Sequence, residues 1–447
     1  MKNNFKYLYL IGLLIPLTVC YLGLFLKNSQ SPLLNTYPFI SDDGYDWITE
    51  GIYLKSKFLG LLTDEQNLAV VRPPVYVFIT AVDSFFKMNG LFVAIVNVLA
   101  TLGTGIISFL LLKKKSLNFL EVLLLVVALF YTPINYVRFW LLSDCLAVFL
   151  GLVAFYGVNN FIVTKNQQPS LLISTLIALS IVLAGLCQTY AMIPALLSIG
   201  FLFLKIMLTK ESSWSLGSWL QKKRPLMELL KLVVTTGVIF VLALWSWQQS
   251  IPHQRTPMNF SLIKINFNMF TFYKDTWSYY FFPFLSIFYL LFKCRKEIFI
   301  RLSDQNKILF LIIGAHLLLV FFYQWPESRF SFLFWPYFII LLFNFIFENN
   351  FLKNKFSTVF FIFFLFLQCF LSYPDNEWQP SLSSLTWGKG FSIDYSQRHP
   401  VTRFPQHCFD NQGALCSSKD LNNELSPYIR ETMGNYFQLQ TKMKSYH

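Results

Sequence analysis

Long apolar runs that alternate with short polar segments dominate the pattern of this chain. About eleven runs stand out, and most approach the ~20 residues that a helix needs to cross the hydrocarbon core of a bilayer. They cover residues 7–26, 88–112, 119–137, 144–163, 170–187, 190–208, 229–247, 279–292, 308–325, 330–347 and 356–373. The pattern predicts an all-α fold, a polytopic bundle of about eleven transmembrane helices.

The segment from Arg72 to Phe86 departs from this pattern. It is apolar, but Pro73, Pro74 and Asp83 interrupt it. At ~15 residues it is also short for a membrane crossing. We therefore expect an interfacial helix that lies in the plane of the membrane.

Composition favours a membrane protein and excludes other classes. Hydrophobic residues make up 55% of the 447 residues and charged residues only 13%, against roughly 25% charged in average soluble domains. A soluble fold this apolar would expose large adhesive patches. The net charge of +13 comes with no basic face carrying interleaved aromatics, so we expect no nucleic-acid partner.

The positions of the basic residues predict the orientation. Lys2 and Lys6 precede the first run, which we interpret as a retained signal anchor because no small-residue cleavage site follows it. Further basic groups fall on the same side of the alternating runs: Lys113–Lys115, Lys222–Arg224, Lys293–Lys296, Lys353 and Lys355. That side is expected to be cytoplasmic.

The expected localisation is a multi-pass protein of the bacterial cytoplasmic (inner) membrane, with a cytoplasmic N-terminus. Residues 1–373 then form the membrane domain, and residues 27–87 its long first extracytoplasmic loop. An odd number of spans leaves residues 374–447 as an extracytoplasmic tail.

The first outer loop contains the densest group of carboxylates beside the membrane. Asp42, Asp43 and Asp46 fall within the sequence Ser41-Asp42-Asp43-Gly44-Tyr45-Asp46-Trp47. An Asp-Gly pair is common in turns, so a solvated acidic turn is one interpretation. The other is a catalytic base, because a carboxylate near the lipid boundary is partly desolvated and therefore more basic.

Two more motifs follow in the outer segments. Arg72 precedes Pro73-Pro74-Val75-Tyr76, and the double proline stiffens the chain where it meets the membrane, at the start of the interfacial helix. Asp144 opens the fourth run, where it either complements the helix dipole behind an N-cap or faces an outer cavity.

Three arginines lie beside the outer ends of the runs. They are Arg72, Arg138 and Arg329. Each is placed to bind phosphate, although arginines near headgroups also bind lipid phosphate without any catalytic role. Arg329 has a second interpretation, as the ion-pair partner of Glu327 in the same short turn.

These pieces, in this order, resemble the GT-C superfamily of membrane glycosyltransferases. The nearest likeness is to dolichyl-phosphate-mannose protein mannosyltransferases and bacterial aminoarabinose lipid A transferases. The resemblance covers residues 1–350 and rests on Asp42-Asp43-Gly44-Tyr45-Asp46-Trp47, Pro73-Pro74-Val75-Tyr76, Asp144, and Arg329-Phe330 with Pro336. The chain departs from the family at Gln188-Thr189-Tyr190, where a Lys or Arg is frequent, and at Phe330, which is usually Tyr.

The resemblance implies a sugar donor linked to polyprenyl phosphate and an acceptor hydroxyl on a lipid, a glycan or a protein. Asp43, or Asp42 if the motifs align one position earlier, would be the general base, with Asp144 as a further catalytic carboxylate. Arg72, Arg138 or Arg329 would hold the donor phosphate. The supporting residues would be Tyr45, Asp46, Pro73, Pro74, Tyr76 and Glu327. Direct displacement would invert the anomeric configuration, and no cofactor or metal is implied.

Other functions remain open on the sequence. A transporter or flippase is expected to show repeated halves and charges in mid-span, and neither is clear here. A polysaccharide polymerase or ligase would carry Arg or His in larger late loops, and residues 248–278 include His253 and Arg255. A purely structural membrane protein is the third alternative.

The first prediction concerns the side of the membrane on which the tail lies. A cysteine introduced at Ser383 is expected to react with an impermeant thiol reagent on intact cells, because eleven spans from a cytoplasmic N-terminus put the tail outside. Labelling that occurs only after lysis would overturn the span count.

Overall fold

The fold is helical throughout the part of the chain that the computed structural model describes. The described residues are 73–86, 91–112, 117–130, 143–163, 171–208, 216–250, 303–322, 331–348 and 354–370, with the single positions 12, 14, 47, 50, 51, 54, 55, 58, 59, 286 and 352. Among these residues there are ten helices of 12 residues or more, the 3-10 turn Thr189–Met192, further single helical positions including Leu352, and no strand. The predicted all-α class is confirmed.

The helices follow the apolar runs closely. They are α1 (Pro74–Phe85), α2 (Leu91–Leu111), α3 (Phe119–Phe130), α4 (Asp144–Val163), α5 (Leu171–Cys187), α6 (Ile193–Leu208), α7 (Leu216–Ser250), α8 (Asp304–Phe322), α9 (Ser331–Glu348) and α10 (Lys355–Phe370), with the 3-10 turn Thr189–Met192 between α5 and α6. The predicted runs 7–26 and 279–292 lie outside the described residues except for positions 12, 14 and 286, which are helical.

Helix α7 differs from the prediction. The sequence indicated a span over 229–247 preceded by a basic loop at Lys222–Arg224, but the helix extends from Leu216 to Ser250 and includes that segment. Lysine, arginine, glutamine and leucine are all good helix formers, so a basic stretch ends an apolar run without ending the helix. The expectation of a loop at Lys222–Arg224 was therefore wrong.

Single helices differ in their capacity to cross a membrane. Within the described residues, only the stretch Phe92–Leu111 is both long enough and apolar enough to do so by itself, and half of it is buried. Other described helices contain shorter apolar stretches of 10–17 residues.

The core is built around helix α9, which packs against α8, α3, α2 and α4. Its aromatic side chains Phe332, Trp335, Tyr337 and Phe343 are almost completely buried. Trp335 Nε1 donates a hydrogen bond of 2.9 Å to the Ala128 carbonyl in α3. Because an indole N–H has no water to bond in an apolar interior, this contact satisfies it and also fixes α9 against α3.

Helix α1 confirms the helix predicted after the double proline. Pro73 is extended, with φ −62° and ψ 147°, and Pro74 occupies the start of the helix, where a missing N–H costs nothing. One face buries Tyr76 while Phe78 on another face is 61% exposed. Asp83, which interrupts the apolar run in the sequence, is fully buried and accepts a 2.9 Å hydrogen bond from the Phe92 N–H in the first turn of α2.

One end of the bundle forms where the amino end of α8 meets the carboxyl ends of three other helices. Gln305 Nε2 donates to the carbonyl of Leu111, the last residue of α2. Lys205, near the end of α6, pairs with the first residue of α8, and Asn306 donates to Glu348, the last residue of α9, at 3.3 Å. Helix α8 therefore runs antiparallel to α2, α6 and α9, which is the alternation that the order of the predicted spans requires.

The Lys205–Asp304 ion pair gives the second prediction. The hydrogen bond from Lys205 holds the pKa of Asp304 below its usual value, and Lys307, 3.7 Å away, adds to the effect. A lowered carboxyl pKa stabilises the fold above the unfolded-state pKa of about 4, and this contribution is lost as the pH falls through the folded pKa. Lys205→Met is expected to cost about 0.2–1 kcal/mol in detergent at pH 6 and less in high salt, because the pair is partly exposed.

Thermal unfolding at pH 6 and at pH 3 measures this effect. The difference between wild type and Lys205→Met should shrink at the lower pH. Asp304→Asn and the double variant Lys205→Met/Asp304→Asn complete the cycle, and the double variant should lose less stability than the sum of the two single losses. A loss that is additive in the double variant would mean that the two side chains do not stabilise each other.

Candidate functional site

The opposite end of the bundle contains Asp144, at the start of α4. The Ser143 carbonyl accepts the first helical hydrogen bond, from Ala147 N at 2.8 Å, so Ser143 occupies the N-cap position. Asp144 then lies in the first turn, where its negative charge complements the helix dipole. The residue is only 5% exposed, and a buried carboxylate requires hydrogen-bond donors.

The turn between α5 and α6 supplies one of those donors. Tyr190, in the 3-10 turn, donates from its hydroxyl to Asp144 Oδ1 at 2.6 Å. Gln188, which is extended at the start of this turn, donates from Nε2 to Ser143 Oγ. Cys187 Sγ lies 3.7 Å from the Ser143 carbonyl. The turn therefore holds both the cap and the first residue of α4.

Tyr76 of helix α1 approaches the same place from a third direction. Its side chain is completely buried and lies within electrostatic range of Asp144. Asn97 Nδ2 of α2 donates to the Tyr76 hydroxyl at 3.4 Å. We call Ser143, Asp144, Gln188, Tyr190 and Tyr76 the Asp144 cluster.

Small side chains allow these elements to approach each other. Ala147 of α4, Ala184 and Cys187 of α5, and Ala191 of the turn form one buried contact. Val75, from the start of α1, packs against it. Because none of these four core residues extends far from the backbone, α1, α4, α5 and the turn can meet closely enough for the polar groups above them to bond.

Trp47 connects the acidic motif of the first loop to this end of the molecule. Its ring is 1% exposed and meets the Tyr76 ring edge to face, with the centroids 5.0 Å apart. Thr80 Oγ1 of α1 donates to the Trp47 carbonyl at 2.8 Å. Further along, Lys55 Nζ donates to the Ser84 carbonyl at 3.1 Å. The helical positions from Trp47 to Lys55 therefore lie along α1.

The structure brings together four of the residues that the sequence singled out. Pro73 precedes α1 and Pro74 and Tyr76 belong to it; Val75, in its first turn, packs against the contact that contains Ala147, three residues after Asp144. The other predicted site residues lie outside the described residues: Asp42, Asp43, Tyr45, Asp46, Arg72, Arg138, Glu327 and Arg329.

Sequence reasoning missed the two side chains that hold the start of α4. Gln188 and Tyr190 were noted only as a departure from the family pattern, in the turn where a cationic residue is frequent. In the structure, this turn instead carries an amide and a phenol that donate to Ser143 and Asp144. One sequence signal could have identified these two residues. The turn follows the predicted run 170–187, and it is therefore expected on the same outer side of the bundle as Asp144.

His316, inside α8, is buried and packed against its neighbours. Its Nδ1 donates to the Ile312 carbonyl at 2.8 Å, and its ring stacks on Tyr337 with the centroids 6.1 Å apart. The partners that the sequence did not reveal are therefore a carbonyl one turn earlier and an aromatic ring of α9.

The Asp144 cluster presents a carboxylate whose position is fixed and which is largely withdrawn from solvent. One carboxylate oxygen accepts from Tyr190, so the group is oriented by its donor rather than free to rotate. Such a group can accept a hydrogen bond from a ligand hydroxyl or orient the residues around it. Comparison with models of known protein families, with characterised proteins and with solved structures finds no match to this chain.

The third prediction tests the hydrogen bond that organises the cluster. Tyr190→Phe leaves a buried carboxylate without its phenol donor and is expected to destabilise the fold by about 1–3 kcal/mol. Thermal unfolding in detergent measures this loss. Tyr156→Phe in α4 is the matched control, because the Tyr156 hydroxyl makes no hydrogen bond within the described part of the chain. Equal stability of the two variants would contradict the role given to Tyr190.

Proposed function

We propose that this chain is a polytopic membrane glycosyltransferase of the GT-C type. It transfers a sugar from a polyprenyl-phosphate donor to an acceptor hydroxyl on the extracytoplasmic face of the membrane, with inversion. One observation carries the proposal: the Trp47 ring of the acidic motif packs on Tyr76 of the Pro-Pro-Val-Tyr motif, and Val75 of that motif packs against the contact that contains Ala147, in the first turn of the helix that Asp144 begins. The closeness of three motifs from separate parts of the sequence supports a single site at this end of the bundle.

The distribution of side chains supports membrane embedding with about eleven spans. Large apolar residues are exposed on helices throughout the described bundle, for example Leu99, Leu176, Val238, Leu318 and Phe363. Polar residues are buried inside it, including Asn97, Thr104, His316 and Asn344. A soluble protein shows the reverse arrangement, whereas apolar exteriors suit lipid. Helices too short to span alone cross a bilayer when flanking residues extend into the interface.

The proposed orientation of the bundle in the membrane is supported by the charges at the end where α8 begins. Lys205, Lys307 and Lys355 occur at helix ends or in the adjoining turns on that side, as expected for a cytoplasmic face. The Asp144 cluster lies at the opposite end of α4, which the same rule assigns to the extracytoplasmic face. A lipid-linked donor with its phosphate at that surface would reach the cluster.

The proposed reaction is a direct displacement. Asp43, four residues before the anchored Trp47, takes the proton of the acceptor hydroxyl as its oxygen forms a bond to the anomeric carbon. The bond from that carbon to the phosphate oxygen breaks, and the electron pair leaves with the lipid phosphate. Arg72, Arg138 or Arg329 stabilises the leaving phosphate.

Other residues support this reaction in the proposal. The hydrogen bond between Tyr190 and Asp144 holds the residues around the site in place. Pro73 and Pro74 fix the direction in which the chain enters α1. Tyr45, Asp46 and Glu327 act beside the base and the phosphate, as the resemblance implies. No cofactor enters the mechanism.

A flippase is the second candidate, and one observation favours it. Asn97, Thr101, Thr104 and Ser108 form a row along the buried face of α2, and the Thr101 and Ser108 hydroxyls have no partner within the described structure. Polar groups inside a bundle often mark a substrate path. Reconstitution with a fluorescent polyprenyl phosphate separates the candidates, since a flippase moves it between leaflets without an acceptor.

The fourth prediction addresses catalysis. Asp43→Asn keeps the size of the side chain but removes the proton acceptor, so transfer is expected to fall by about 10²–10⁴-fold. Expression and membrane insertion should barely change. The assay follows labelled sugar from a lipid-linked donor into endogenous acceptors, in membranes from a strain that lacks the protein.

Asp42→Asn and Asp46→Asn are the matched controls, because either carboxylate is the base if the motif aligns differently. Arg329→Lys should weaken the use of donor without removing the base, since lysine lacks the planar group that binds phosphate through two hydrogen bonds. Full activity in Asp43→Asn would refute that assignment. Full activity without all three carboxylates would refute the mechanism.

A further inference from the structure

One face of helix α4 connects the Asp144 cluster to the aromatic core. Asp144, Gly151 and Phe155 are spaced by seven and four positions, so they lie on the same side of the helix. Asp144 accepts from Tyr190 at the end of this face. Phe155 meets the Tyr337 ring edge to face, with the centroids 5.9 Å apart. Gly151 lies between these two contacts.

Two neighbours approach Gly151 so closely that no side chain fits there. A Cβ added at this position would lie 2.9 Å from the Ala191 carbonyl oxygen and 2.9 Å from the Tyr337 hydroxyl. Distances this short essentially do not occur for real Cβ atoms, so both contacts would have to open. Ala191 follows Tyr190 directly in the 3-10 turn.

Neither neighbour has room to move independently. Ala191 is 4% exposed and packs within the small-residue contact formed with Ala147 and Ala184. Tyr337 is fully buried between the rings of Phe155 and His316. Since the turn is backbone held at both ends, a side chain at position 151 would push the turn away from α4.

We propose that Gly151 is a positioning residue of the Asp144 cluster: its missing side chain lets the 3-10 turn rest on α4 and Tyr337, so that Tyr190 reaches Asp144. The structural role stands on the contacts alone, and its effect on transfer rests on the proposed function. Gly151 touches neither donor nor acceptor, and it acts through the turn.

Gly151→Ala tests the proposal, with Gly200→Ala in α6 as the matched control. Both changes place alanine in a helix and therefore bring the same gain in helix propensity. Among the residues that the structure describes, an added Cβ at Gly200 meets nothing within 4 Å, so Gly200→Ala should unfold at or slightly above the wild-type temperature. Gly151→Ala should unfold at a lower temperature and lose transfer on the order of 10²-fold, the effect of a shift of about 1 Å in a site.

A double variant separates positioning from general damage to the fold. In a Tyr190→Phe background, the hydrogen bond from position 190 to Asp144 is already absent. Gly151→Ala should then cost little more, and the double variant should remain within about twofold of the worse single variant in transfer. Losses that multiply would overturn the proposal, as would a Gly151→Ala variant that behaves like Gly200→Ala.

If Gly151→Ala does not accumulate, Gly151→Ala/Tyr337→Phe provides the second test, because removal of the hydroxyl relieves one of the two clashes. Recovery of folded protein with transfer still low supports displacement of the turn. Recovery of both folded protein and transfer would mean that the clash with Tyr337 alone causes the loss, and it would overturn the proposed role of the contact between Gly151 and the turn. Absence of transfer in the wild type would refute the proposed function, while the unfolding temperatures would still decide the role of Gly151.

Discussion

The hydrogen bond from the Tyr190 hydroxyl to the Asp144 carboxylate is the contact on which the end of the bundle depends. A carboxylate that is 5% exposed has little access to water, so its donors must come from the protein. The donor is delivered by a turn of four residues between two helices, and the turn is held by Gln188 on Ser143. The small residues Ala147, Ala184, Cys187 and Ala191 let this turn lie directly on α4.

Most of the helices could be predicted from the sequence because the signal is local. Apolar runs define α4 and α9 almost to the residue, since an apolar environment acts on every turn of a helix. The Pro-Pro pair likewise predicts the start of α1. Helix α7 was harder to predict, because a basic segment marks the end of an apolar run without marking the end of the hydrogen-bonded helix.

The contacts of the candidate site depend on pairs that are distant in sequence, and they could not be predicted in the same way. Tyr190 and Asp144 are 46 positions apart, and Trp335 and Ala128 are 207 apart. Asp83 illustrates the difference well. In the sequence it interrupts an apolar run, whereas in the structure its carboxylate accepts from the first turn of the following helix. Whether a polar residue is a site, a cap or a break depends on partners that local composition does not reveal.

The attachment of α1 at both ends also has a mechanical consequence. Near its carboxyl end, Asp83 ties it to α2 and the Ser84 carbonyl ties it to Lys55, while Tyr76 near its amino end contacts Asn97 of α2. Hydrogen bonds therefore join α1 to α2 at both ends of α1, while Phe78 within α1 and Phe86 just after it stay exposed. In a bilayer, a change in thickness tilts the longer helix to restore hydrophobic matching. If the chain lies in a membrane as proposed, a tilt of α2 would reach Tyr76 through these bonds, and the composition of the surrounding lipid would then act on the cluster.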